Sequence, residues 1–149
     1  MFRADEEDGT MAQLRLAPQP LAMIVLIKSL VHWLTSGLAM TLLSPLIALA
    51  IGMSAERTLS LVVALLIGAP ALSLIGSIGA ALTLSIKRAS LIQAIITLPF
   101  YIPTLIYGTL AAGEGSRQNA ALLFLGGLSL LALVLAPWVA AKTIERHQA

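Results

Sequence analysis

The stretch LSLVVALLIGAPALSLIGSIGAALTLSI, residues 59–86, decides what kind of molecule this is. It contains no charged residue, and it is longer than the ~20 residues that carry an α-helix across the ~30 Å hydrocarbon core of a bilayer. Three more runs share its character, at residues 29–53, 91–113 and 120–141, and none of the four contains a carboxylate. The chain therefore reads as all-α, a polytopic membrane helical bundle of four transmembrane helices. Residues 1–20 form a separate polar segment ahead of a membrane domain spanning 21–149.

Composition agrees. Hydrophobic residues make up 58% of the 149 and charged residues 11%, against about half and a quarter in a soluble domain. The net charge of +2 is too small to suggest a nucleic-acid partner. Cysteine is absent, which removes disulfides, thiolate metal sites and cysteine nucleophiles together. The acidic N-terminus lacks the basic and apolar parts of a signal peptide, so insertion is expected to rest on the first span.

Basic residues alternate between connections. Arg3, Arg15 and Lys28 precede the first span, Lys87 and Arg88 follow the second, and Lys142 and Arg146 follow the fourth. The other two connections hold only Arg57 and Arg117. Cytoplasmic loops carry the excess of Lys and Arg, so both termini are expected in the cytoplasm of a bacterial inner membrane. Trp33 and Trp138 fall at cytoplasmic span ends, where an interfacial role is favoured over ligand stacking.

The polar entry segment has a pattern of its own. Asp5, Glu6, Glu7 and Asp8 run into Gly9, and Thr10 with Gln13 fits a capping box at the start of a short helix. Met11 and Leu14 share one face of it, and Pro18 and Pro20 end it. The expected product is a short amphipathic helix on the cytoplasmic membrane surface, followed by a helix from Leu21. Along that helix Lys28, His32 and Ser36 recur every fourth residue as a polar stripe, which belongs against protein or water. His32 is read as an interfacial side chain rather than a haem ligand, because no second histidine lies in a span.

The second span carries Ala69, Ser73, Ser77 and Ala81 at four-residue spacing, with Gly76 and Ala80 beside them. Small residues at this spacing let helix backbones approach closely. Packing within the subunit is the favoured role, and a homodimer face the alternative. The third span contains LPFYIP, residues 98–103. Pro99 and Pro103 deprive the carbonyls of Ile95 and Pro99 of their helical donors. In lipid those carbonyls need other partners, and Thr97, Tyr101 and Thr104 are the local candidates. A static kink and a break lining a cavity remain equal alternatives. The sequence offers no phosphate-cradling loop, metal-ligand spacing or nucleophile beside a base, so no chemistry is expected of this chain.

Four stretches together resemble the CcmB family, the haem exporter protein B of cytochrome c maturation. They are FRADEEDGTM (2–11) with Leu14 and Pro18, HWLTSG (32–37) with LLSPL (42–46), GAPALSLIG (68–76) with IGAAL (78–82), and LPFYIP (98–103) with LIYG (105–108). The resemblance implies a permease subunit of an ABC transporter, working with a cytoplasmic ATPase subunit and with other membrane subunits of cytochrome c maturation. Haem enters as cargo of that complex, and no cofactor is assigned to this chain itself. Asp5, Glu6, Asp8, Gly9, Thr10, Leu14 and Pro18 then correspond to the ATPase-coupling segment. Family members usually have about six spans, so the chain is expected to lack the N-terminal part, through a misassigned start or a truncated gene. Ala4 and Ala39 stand where relatives often carry an acidic residue and a proline. Readings with other consequences are an ABC permease for lipid or drug, and a non-transporting membrane scaffold for assembly factors.

Overall fold

The computed structural model describes residues 2–84 and 89–146; Lys87, Arg88 and His147 fall outside them. The chain is built from α1 (Arg3–Glu7), α2 (Thr10–Leu16), α3 (Leu21–His32), a π-helical turn (Trp33–Gly37), α4 (Leu38–Ala50), α5 (Ala55–Leu82), α6 (Ala89–Ala112) and α7 (Gln118–Arg146). The first span is α3, the π turn and α4 taken together, and α5, α6 and α7 are the other three. Among the described residues there is no strand.

Helix α5 is the centre of the bundle. It packs along α7 and α6 and also against α3, the π turn and α4. The buried interior is made of small side chains: Ala64, Ala71, Ala81, Ala136 and Ala140, with Leu74 and Leu125 as the larger fillers. Large apolar residues point outward instead, among them Leu42, Ile47, Ile95, Phe100, Leu123 and Val134. This inversion of a soluble core follows from the solvent. Hydrocarbon gives no drive to bury leucine, and close backbone contact is what holds helices together.

Helix α5 starts at Ala55 because Ser54 caps it, its side chain accepting from the Arg57 amide at 3.4 Å. The preceding turn is made by Gly52, whose φ of 72° suits a residue without Cβ. Arg57 also meets Glu114 at 3.4 Å, tying the first and third connections together. Both side chains are about half exposed, so this pair contributes little.

Four prolines and three donating hydroxyls shape the hydrogen bonding inside the spans. Pro45 leaves the Thr41 carbonyl without its amide partner, and the preceding Ser44 hydroxyl donates to that carbonyl at 2.7 Å. Pro70 lies inside α5, and cross-helix donors reach the carbonyls on either side of it. Ser129 of α7 donates to Ile67, and Tyr101 of α6 donates to Leu72 at 3.1 Å. Pro99 and Pro103 lie inside α6, which continues through both as one helix. The local donation expected there is not made. Thr97 bonds the Gln93 carbonyl at 2.9 Å, Tyr101 reaches across to α5, and the Thr104 hydroxyl has no partner.

The α5–α6 seam depends on glycine. A Cβ on Gly76 would stand 2.8 Å from the Tyr101 hydroxyl, and one on Gly79 would collide with Thr97 and press on Gln93 at 3.1 Å. Gly79→Val is therefore expected to destabilise the protein by about 1–3 kcal/mol through overpacking. Tyr101→Phe, which deletes one bond without adding volume, should cost about 0.6 kcal/mol, the average for such bonds in membranes. Unfolding of both variants in mixed micelles reads the difference.

Candidate functional site

The polar segment at the N-terminus folds into two short helices rather than the single one expected. Asp5, Glu6 and Glu7 lie inside α1, with Asp5 and Glu6 in its first turn, where the helix dipole favours acids. Gly9 joins α1 to α2 at φ 74°, ψ 0°, in the left-handed region where glycine carries no steric penalty. The capping box does not form. Gly9 is itself the cap of α2, Thr10 is the first helical residue, and no side chain caps the helix. A side-chain cap needs a Ser or Thr in extended backbone one position earlier, and the chain arrives there from the turn that closes α1. Helix α2 ends at Leu16; Pro18 is exposed in the link, and Pro20 caps α3.

The pair has two faces. Phe2 and Met11 are fully buried, against Val25 of α3, Ala80 and Ala81 of α5, and Ala140 and Ile144 of α7. Leu14, Leu21 and Leu84 pack around this cluster. Three spans therefore end on one apolar seat. Beside it the Lys28 ammonium meets the Asp5 carboxylate at 2.7 Å, with only 28% and 17% of the two side chains exposed. Partial burial makes this pair worth more than a surface bridge, and leaves either partner in difficulty if the other is removed. The outward face carries Glu6, Asp8, Gly9, Thr10 and Gln13, together with Leu16, which is 87% exposed. Of the residues expected to couple, Leu14 thus belongs to the seat, while Glu6, Asp8, Gly9, Thr10 and Pro18 lie outward and Asp5 holds the first span.

The expected stripe of Lys28, His32 and Ser36 is not a single surface. Lys28 turns to Asp5, whereas His32 and Ser36 are exposed. The cause is Asp5 of α1, which draws the Lys28 ammonium to itself at 2.7 Å. A π turn follows directly after His32, so Ser36 is not reached by regular α-helix. Trp33 is the first residue of that turn and is half-buried. Its ring folds over Gly37, where a Cβ would stand 2.6 Å from the Trp33 Cδ1. Trp138 is exposed on α7, with the Lys142 ammonium 4.3 Å from its ring centre.

The small residues of α5 are used on several sides at once. Gly76 faces Tyr101, Ala80 belongs to the seat, and Ser77 is fully buried with its hydroxyl on the Leu74 carbonyl at 2.6 Å. Ser73 is half-buried, and Ala69 borders a groove between α5 and α6. That groove encloses about 200 Å³ in the half of the bundle away from the seat. A second hollow of about 130 Å³ lies nearer the seat, against Thr97 and Phe100. Pro99, Tyr101 and Pro103 line neither of the two, whereas Thr104, next to Pro103, lines the first. Among the described residues no cluster of three or more His, Asp or Glu is disposed to hold a metal ion.

Phe2, the Asp5–Lys28 pair and the Trp33 turn are the features that sequence patterns missed. Phe2 could have been found as the one aromatic in an otherwise polar segment. The other two depend on partners distant in the chain.

Four long apolar helices with a two-faced helical pair seated on the end of the bundle define a multi-pass membrane protein. The polar face of that pair stands at the same end of the bundle as Ile144 of α7. Comparison with known families matches the CcmB protein model over residues 1–147, and the chain belongs to that family. It is 49% identical to the Heme exporter protein B of Pseudomonas aeruginosa over 148 residues, covering 97% of this chain and 66% of that one. Identity is 40% to the Rhodobacter capsulatus Heme exporter protein B and 37% to that of Escherichia coli K12, over 97% of this chain and 68% and 67% of theirs. The chain spans about two thirds of the length of these relatives.

Phe2→Ala empties the middle of the seat and is expected to cost about 3–5 kcal/mol locally. Amide exchange across residues 3–16 should then quicken by at least about a hundredfold, while exchange in the α5–α6 seam stays unchanged.

Proposed function

We propose that this chain is the membrane permease subunit of an ABC transporter complex that exports or delivers haem for c-type cytochrome biogenesis. ATP is hydrolysed on a cytoplasmic partner subunit, and this chain carries out no chemistry of its own. Other membrane subunits of cytochrome c maturation complete the complex, and haem is its cargo. The protein sits in the bacterial inner membrane with both termini in the cytoplasm, as the distribution of Lys and Arg between the connections favours.

The observation that carries the coupling role is the seat. A polar helical pair presents Glu6, Asp8, Thr10, Gln13 and Leu16 outward while Phe2 and Met11 insert among the ends of three spans. A body docking on the outward face pushes α3, α5 and α7 together. Exposed Leu16 on α2 and the exposed Asp8 carboxylate between α1 and α2 suit a partner surface that offers both an apolar hollow and basic groups.

Bulky replacements at Gly9 and Thr10 test this directly. Any side chain at Gly9 is strained at φ 74°, and Thr10→Trp blocks the outward face. Together they are expected to lower co-purification of the ATPase subunit at least about tenfold without changing the amount of chain in the membrane. Unchanged co-purification would remove the coupling role. Gln13→Cys, in this cysteine-free chain, should react with an impermeant maleimide only in opened cells, and labelling of intact cells would reverse the topology.

A further inference from the structure

Helix α7 changes character near its C-terminal end, on the side turned away from the seat. Ala140, Ala141 and Ile144 are buried there, whereas Trp138, Lys142 and Arg146 are exposed. These three follow one another at four-residue spacing, so they share one face of the helix. With Val139 and Thr143 they line a shallow hollow of about 260 Å³.

The hollow holds two cations without a counter-ion. Among the described residues neither Lys142 nor Arg146 meets a carboxylate. By contrast Lys28 is taken by Asp5 and Arg57 by Glu114. Glu145, between the two cations in sequence, does not line the hollow. The Lys142 ammonium lies 4.3 Å from the centre of the Trp138 ring, whose face attracts a positive charge and fixes where it stands.

Ahead of Trp138 the same face of α7 is apolar. Leu128, Leu131 and Leu135 lead up to it at three- and four-residue steps, and Leu131 and Leu135 are exposed. From Leu128 to Trp138 the helix rises about 15 Å, which is one leaflet of a ~30 Å hydrocarbon core. The order along this face is therefore an apolar strip one leaflet deep, an aromatic of the kind that sits at headgroup level, and two unpaired cations. An anionic phospholipid has the same order, from acyl chain to phosphate. A zwitterionic lipid would bring a cation of its own against Lys142 and Arg146. Free phosphate would use the cations and leave the strip without a role. Haem fits less well, since the lining has no histidine or methionine for its iron.

We propose that Trp138, Lys142 and Arg146 form a headgroup site for one anionic phospholipid, whose acyl chain lies along Leu135 and Leu131. The ammonium and the guanidinium donate charge-assisted hydrogen bonds to the phosphate. The site needs only that α7 spans a bilayer, and it stands whether or not an ATPase works the chain.

The test uses Trp138 as its own reporter. In the 149-residue chain carrying Trp33→Phe, Trp138 is the sole tryptophan. The chain is placed in phosphatidylcholine bilayers that hold the same mole fraction of acyl-brominated phosphatidylglycerol or acyl-brominated phosphatidylcholine. Quenching of the Trp138 emission gives the relative binding constant of the two lipids. Phosphatidylglycerol should bind at least about fivefold more strongly. Lys142→Gln together with Arg146→Gln should bring the ratio below about twofold. Ile27→Trp, with Trp33 and Trp138 both replaced by Phe, reports the same end of the bundle from α3, where Lys28 is already paired. It should also give a ratio below about twofold, which separates a site from general attraction of anionic lipid to a basic end. Native mass spectrometry from micelles of both lipids, with both tryptophans in place, should show one retained phosphatidylglycerol that the double glutamine variant lacks. A ratio near one at Trp138, indifference to the glutamines, or an equal preference at Ile27→Trp would overturn the proposal. So would loss of the preference to inorganic phosphate at constant ionic strength, or a ratio that falls as the chain is packed more densely and a second copy covers the face.

Discussion

Hydrocarbon accepts no hydrogen bonds, and most of what is distinctive in this bundle follows from that. Each donor or acceptor that regular helix geometry leaves over must be met by the protein itself. Ser44 answers for the amide that Pro45 lacks, and Tyr101 and Ser129 reach into α5 on either side of Pro70. These contacts need helices close enough for a side chain to touch a neighbour's backbone. Gly76 and Gly79 make that distance available. The glycines and the cross-helix hydroxyls are therefore one device: the first brings the backbones together and the second uses the proximity.

At the end of the bundle the solvent changes and so does the logic. Phe2 and Met11 are buried there in the way a soluble core buries its residues, and the polar side of the same short helices stays wet. The hydrophobic effect that is missing between the spans is thus available where the N-terminal pair meets them. The Asp5–Lys28 pair sits at the boundary between the two regimes, with both side chains mostly buried. A polar surface built this way is firmly joined to the membrane helices without being part of them.

The number and approximate place of the spans were legible because a bilayer sets a length that apolar runs either reach or miss. Leu21 as a helix start was legible from Pro18 and Pro20. What could not be read were contacts that compare distant positions. The every-fourth spacing of Lys28, His32 and Ser36 could not show that Asp5, far back in the chain, claims Lys28, nor that a π turn begins after His32. Similarly, Thr10 and Gln13 match a capping pattern, but the backbone at Gly9 is set by the turn closing α1. Thr97, Tyr101 and Thr104 stand near the two prolines as read, but none donates to the carbonyls those prolines free: Thr97 bonds Gln93, Tyr101 answers to α5, and the Thr104 hydroxyl has no partner.

The seat is unequal in what it holds. It gathers the ends of α3, α5 and α7, and among the described residues it contains nothing from α6. A displacement entering there would meet α3, α5 and α7 directly and α6 only at second hand, through the seam where Tyr101 and Gln93 donate to the carbonyls of Leu72 and Gly76 and through the Tyr107 ring stacked on Phe124 of α7. Pushed from that end, the bundle would divide into a driven part and a follower, with two hydrogen bonds, a row of glycines and one pair of rings between them.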